Sequence, residues 1–111
     1  MPRRTSLGEF ELMVLLALIR LGDRAYGVPI SREIEQRSGR EVALGSVYAT
    51  LERLEDKGLV TSTLGDPTAA RGGRAKRYFH LTAQGLTEVR DTQRALISLW
   101  SGLPELDGGA A

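Results

Sequence analysis

The sequence predicts a mostly α fold with one β-hairpin, a winged helix-turn-helix followed by a C-terminal dimerisation helix. Three observations carry that prediction. Three apolar-striped segments with helix start and stop signals fill roughly the first half of the chain. Two short β-prone runs then flank a Gly/Pro-rich loop. The final periodic segment spaces its apolar residues three and four apart, as a helix–helix seam requires.

At 111 residues the chain fits one domain with a single modest core. With 41% hydrophobic and 26% charged residues it reads as a globular chain, not a disordered one. It has no cysteine, which excludes a disulfide framework, a thiolate metal site and a cysteine nucleophile. The apolar run from Leu12 to Ile19 is far shorter than the roughly 20 residues of a membrane span. The opening "MPRRTS" has no signal-peptide stretch, so the expected location is cytoplasmic, with no membrane partner. A net charge of +1 does not by itself point to nucleic acid. The distribution does more: residues 71–77 carry four cations and no acid, whereas "ERLED" at Glu52 to Asp56 holds three acids.

The first helix is expected to begin near Ser6, because Ser6 and Glu9 have capping-box spacing. Phe10 to Leu21 is apolar almost all round, the mark of a buried scaffold helix, and Gly22-Asp23 ends it. A second helix runs from about Val28 to Ser38, with Pro29 in its first turn and Gly39 behind it. Ile30 and Ile34 point inward; Arg32, Glu33, Glu35 and Gln36 point out. Gly45-Ser46 opens a third helix that stops at Lys57-Gly58. "GLVTSTL" and "KRYFHLT" form the two strands of a hairpin, and "GDPTAARGGRA" is its tip. The last helix runs from Thr82 to about Ser101. The expected organisation is therefore a winged helix-turn-helix over residues 1–81, a dimerisation helix over 82–103 and a frayed tail over 104–111.

On a helical wheel Val47, Leu51 and Leu54 share one stripe, the core side of the third helix. Tyr48, Glu52 and Glu55 fall on one flank. Ser46, Thr50, Arg53 and Lys57 line the other, with the small Ala49 between them. Hydroxyls, a small residue and two cations suit a helix face entering a major groove, where they meet phosphates and base edges. By composition alone that face also fits a solvated amphipathic helix. The hairpin shifts the balance, since Arg71, Arg74, Lys76 and Arg77 place a positive finger directly after this helix.

Three blocks in order resemble the PadR-type transcriptional regulators. "LGEFELMVLLAL" with "AYGVPI" resembles the family's first helix and the start of its second. "LGSVYATLERLEDKGLV" resembles the recognition helix, and "GGRAKRYFHLTAQG" the wing and following strand. Together they span about residues 7–85. The resemblance implies a dimeric DNA-binding regulator, often a repressor released by a small molecule. It also implies that Ser46, Tyr48, Thr50 and Arg53 lie at or near DNA, with Arg74, Lys76 and Arg77 on the backbone or in the minor groove. Tyr48 keeps two readings, a phosphate contact or packing against the second helix. Of Tyr78 and Phe79, strand alternation sends one into the core.

Leu86, Val89, Gln93, Leu96, Trp100 and Leu103 follow a three-four repeat, the spacing of a coiled-coil seam. Two partners fit it: the first helix of the same chain, or a second copy. The second is favoured, because three helices already supply the core. A dimer would set two recognition helices about 34 Å apart and call for a palindromic operator in double-stranded DNA. Gln93 on the seam either fixes register or borders a ligand cavity. Trp100 is the only tryptophan. In the multidrug-sensing branch of the family a tryptophan on this helix stacks on planar ligands, which makes Trp100 a candidate, with Gln93, Phe10, Val14, Met13 and Leu18 as co-liners. A plain interface anchor is the other reading of Trp100. No separate effector domain is expected.

A winged helix used only for protein–protein contact is the alternative. An enzyme is not expected: His80, the single histidine, falls on a strand without an evident nucleophile or metal-ligand partner, and phosphate-cradling motifs are missing. No catalytic residue, metal site or cofactor is assigned.

Overall fold

The computed structural model describes residues 7–65 and 76–106. Its elements are α1 (Glu9–Leu21), a short 3₁₀ turn (Gly22–Arg24), α2 (Gly27–Ser38), α3 (Leu44–Asp56), β1 (Val60–Leu64), β2 (Arg77–Leu81) and α4 (Ala83–Trp100). The chain is a mostly helical winged helix, as its sequence predicts. Among the described residues no helix is long and apolar enough to cross a membrane.

Helix α1 is capped two residues later than expected. Gly8 is its N-cap, and the Gly8 N–H donates to Glu11 Oε1 at 3.0 Å. The reciprocal carboxylate is thus Glu11, not Glu9. Glu9 instead accepts two hydrogen bonds from the Arg40 guanidinium, at 2.9 and 3.0 Å. Ser6 lies outside the described residues. Nor is α1 buried all round: Val14, Leu15, Ala17 and Leu18 are buried, whereas Leu16 and Ile19 are 43% and 45% exposed.

Helix α2 ends at Gly39, which takes the left-handed conformation at φ 76°. The link to α3 is held by α2 side chains. Glu35, expected to point to solvent, accepts the Val42 N–H at 2.8 Å, and the Ser31 hydroxyl donates to the Val42 carbonyl at 3.2 Å. These two bonds set the angle at which α3 leaves the turn. The core closes where α1, α2 and α3 meet the hairpin, with Val14, Leu15, Ile30, Val47, Leu51, Leu54 and Leu59 all at 0% exposure.

Strands β1 and β2 pair antiparallel, with Val60 opposite Leu81 and Leu64 opposite Arg77. Alternation sends Phe79 into the core and leaves Tyr78 half-exposed. The Phe79 N–H donates to the Ala25 carbonyl at 2.8 Å, which ties the hairpin to the turn before α2. His80 is a strand residue, its Nε2 3.0 Å from Thr63 Oγ1. Thr82 caps α4 by accepting the Gly85 N–H at 2.9 Å while its hydroxyl donates to the Gly58 carbonyl at 2.8 Å. Gly85 must be a glycine, since a Cβ there would collide with the Leu59 carbonyl. Residues 103–106 end in a turn, with the Leu106 N–H donating to the Leu103 carbonyl at 3.0 Å.

Candidate nucleic-acid interface

Helix α3 exposes a polar strip, with Glu52 and Asp56 also exposed on the helix. Ser46, Ala49 and Arg53 are solvent-facing and lie three and four residues apart, so they stack along one side of the helix. Two residues expected beside them do not present themselves. Thr50 is 2% exposed, and its Oγ1 accepts a hydrogen bond from Arg53 Nη2 at 3.2 Å. At about 100° per residue Thr50 lies only about 60° from Val47, near enough for the core to cover it. Lys57 is half-buried and donates to both oxygens of Glu11, at 2.9 and 3.1 Å. Its charge is spent inside the protein.

Glu11 is the residue that sequence reading passed over. Only 7% exposed, it takes the Gly8 N–H, both Lys57 bonds and an ion pair with Arg53 Nε at 3.7 Å. Burial pushes its carboxyl up, but the Gly8 N–H, Lys57 and Arg53 outweigh that and hold it below the usual carboxylate range. A signal was available: an acid inside an apolar helix is buried only when paired.

Tyr48 packs against α2. A Cβ on Gly27 would collide with the Tyr48 ring, so the phenol sits on the first turn of α2. The residue is still 38% exposed, leaving an edge of the ring open to solvent.

On the hairpin, Arg77 is exposed, and its Nε donates to Ser62 Oγ at 3.2 Å. Ser62 in turn donates to Glu55 Oε2 on α3 at 2.8 Å, so the base of the hairpin is tied to α3. Lys76 lies over the Tyr26 ring with Nζ 5.1 Å from its centroid, and Tyr26 meets Tyr78 edge-on at 5.4 Å. The ammonium rests on the face of Tyr26, a cation–π contact, while Lys76 as a whole stays exposed. Arg71 and Arg74 lie outside the described residues.

The apolar stripe of α4 divides in two. Val89 is 7% exposed and joins the core, and Leu86 is half-buried, so this half already packs on its own chain. Leu96, Trp100 and Leu103 remain 38%, 55% and 40% exposed, and Gln93 is exposed too. Between α1 and α4 runs an open groove of ≈ 590 Å³, lined by Leu12, Leu16, Ile19, Gln93, Leu96 and Trp100 among others. Gln93 and Trp100 are among the residues that line this groove. Phe10 and Val14 do not line it: each lies two residues from Leu12, about 200° around the helix, and Val14 is fully buried. Met13 and Leu18 do not line the groove either; Met13 borders a hollow on the α2 side, and Leu18 is in the core. Leu12, Leu16 and Ile19 share the face that does line it.

This arrangement of elements is shared with solved proteins. RosR of H. salinarum is 29% identical, with a TM-score of 0.67 over 89% of this chain and 82% of that one. A PadR family transcription regulator from hypervirulent Clostridium difficile, 23% identical, superposes with a TM-score of 0.66 over 86% of this chain and all of its own. A winged-helix DNA-binding protein from STIV has the same fold at 16% identity, with a TM-score of 0.67 over 88% and 98% of the two chains. In sequence, an uncharacterized protein from Lysinibacillus sphaericus is 30% identical over 95 residues, 84% of this chain and 80% of that one. Residues 15–91, from the core of α1 into α4, match the profile of the transcriptional regulator PadR-like family. With that match covering more than half its length and the winged fold underneath it, this chain belongs to the PadR-like family of transcriptional regulators.

Proposed function

We propose that this chain is a homodimeric, sequence-specific DNA-binding regulator that acts as a repressor. The observation that carries the reading is the exposed Ser46–Ala49–Arg53 strip on α3, in a winged helix whose hairpin also exposes Lys76 and Arg77. Ala49 allows close approach of the helix, Ser46 offers a hydroxyl, and Arg53 offers a fork that suits guanine or phosphate. Arg71, Arg74, Lys76 and Arg77 supply backbone contacts, and the open edge of Tyr48 adds one at the rim.

The bare half of α4 supports the dimer. Leu96, Ile97, Leu99 and Trp100 form an apolar surface that a second copy would cover, and a two-fold pairing matches a palindromic operator. The α1–α4 groove supports a small planar effector. Its volume lies in the range of small-molecule pockets, and Trp100 and Gln93 give it one stacking surface and one polar anchor.

Binding to DNA from upstream of its own gene, followed by fluorescence anisotropy across a salt series, tests the reading. A regulator binds with affinity that falls steeply with salt, and Arg53→Ala relaxes its sequence preference. Salt-independent or absent binding to every fragment would leave a winged helix that contacts only protein.

A further inference from the structure

The polar strip of α3 is supported from an unexpected direction. Glu11 stands on α1, yet its carboxylate reaches the recognition helix, and it is nearly buried. A buried carboxylate must be compensated, and three groups compensate this one. The Gly8 N–H and the Lys57 ammonium hydrogen-bond to it, and Arg53 Nε lies 3.7 Å away. Arg53 is held a second time, because Nη2 donates to the buried Thr50 hydroxyl at 3.2 Å.

The donor count then matters. A guanidinium has five N–H groups in a rigid plane. Nε lies 3.7 Å from Glu11, an ion pair and not a hydrogen bond, and one Nη2 N–H is used by Thr50, which leaves at least three N–H groups uncommitted on a side chain that is still 58% exposed. Three suffice for a bidentate contact to a phosphate or a guanine edge. Lys57 is treated differently. Both its short contacts go to the same carboxylate, so its charge is neutralised before DNA arrives.

We infer that Glu11 is a specificity-determining positioning residue, which aims Arg53 from behind while withholding Lys57 from the phosphate backbone. The inference rests on the DNA-binding reading of α3 and deepens it. A free arginine adapts to many phosphates, whereas an anchored one accepts few geometries and loses less freedom on binding. A paired lysine adds nothing to sequence-independent affinity. The first effect raises the ratio of specific to random-DNA binding; the second lowers affinity for every duplex alike and flattens the salt slope.

The test compares wild type, Glu11→Gln, Thr50→Val, Arg53→Ala and the Glu11→Gln/Arg53→Ala double variant, each first checked for a cooperative thermal melt. Glu11→Gln keeps the side-chain shape and removes the charge. Its ratio of operator to random-duplex affinity should drop about tenfold, a fraction of what a good bidentate contact is worth. Random-duplex affinity should rise, and the salt slope should steepen by about one as Lys57 becomes free. In the Arg53→Ala background the same change should alter the ratio by less than about twofold, because the residue acts through Arg53. Thr50→Val should lower the ratio without changing the salt slope. An unchanged ratio in Glu11→Gln, or an equal loss in both backgrounds, overturns the inference.

A readout without DNA separates this from the broader reading. In the free protein the Arg53 Nε–H should show a higher NMR order parameter than that of the exposed Arg32, and should lose the difference in Glu11→Gln. Equal order parameters in wild type overturn the clamp. Failure of every duplex to bind, with the clamp intact by NMR, overturns the DNA reading and with it the specificity role.

Discussion

Helices α3 and α4 carry apolar stripes of the same helical period, and their fates differ. On α3 the stripe Val47, Leu51 and Leu54 is fully buried. On α4 the stripe begins in the core at Val89 and then emerges, until Ile97 and Trp100 are 54% and 55% exposed. The difference lies in the neighbours. Helix α3 meets α1, α2 and β1 along its length, whereas α4 is held at its first turns by Thr82, Gly85 and Val89 and then passes the rim of α1. An amphipathic stripe states that a helix needs a partner, not which partner it will have.

Truncating matching leucines on the two helices should give the largest contrast. Leu51→Ala should cost about 2–5 kcal/mol by denaturant unfolding, the usual loss for a buried leucine that leaves a cavity. Leu96→Ala should cost the isolated chain less than about 0.5 kcal/mol, as surface changes do. If a second copy covers that surface, Leu96→Ala and Trp100→Ala should instead shift analytical-ultracentrifugation profiles toward monomer. Equal stability losses at Leu51 and Leu96, independent of protein concentration, would mean that α4 folds back on its own chain.

The next largest effect concerns the anchored end of α4. Gly85→Ala forces a methyl group against the Leu59 carbonyl and should cost about 1–3 kcal/mol, the range for overpacked sites. Thr82→Ala removes the cap of the same helix and should cost about 1 kcal/mol. Both losses should appear in the global melt, because the first turns of α4 belong to the core. If the melt is unchanged and only the helical signal falls, α4 unfolds separately along its whole length.

The smallest effect at neutral pH is electrostatic and lies on the α3 side. The Glu11 carboxyl is held below the usual carboxylate range in the folded protein. Its contribution is therefore complete above the unfolded pKa and is lost as pH falls through the folded one. Between about pH 7 and pH 3, wild type should lose more stability than Glu11→Gln in denaturant titrations. Parallel pH profiles would show that Glu11 does not link α1 to α3.

The element order was legible because its signals are local. Gly39 after α2, the alternation of Val60–Leu64 and Arg77–Leu81, and the apolar stripe of α3 need only neighbouring residues to be read. The start of α1 was not, because Ser6–Glu9 and Gly8–Glu11 offer competing caps, and Arg40, 31 residues away from Glu9, took Glu9 for itself. The polar strip was legible in part. Ser46, Ala49 and Arg53 lie far enough from the core stripe that no packing could cover them. Thr50 and Lys57 lie at its edge, where burial depends on what α1 places opposite.

Residue order alone therefore settles which segments are helix and strand, which face of α3 is apolar, and that the hairpin comes after it with cations. These depend on residue period and backbone preference, which act over a few positions. It took the folded chain to bring Glu11 to Arg53 and Lys57, to lean Tyr48 on Gly27, and to turn Leu12, Leu16 and Ile19, not Phe10 and Val14, toward Trp100. Those pairings join residues far apart in the chain. They depend on the angles at which helices cross, and no local period encodes a crossing angle.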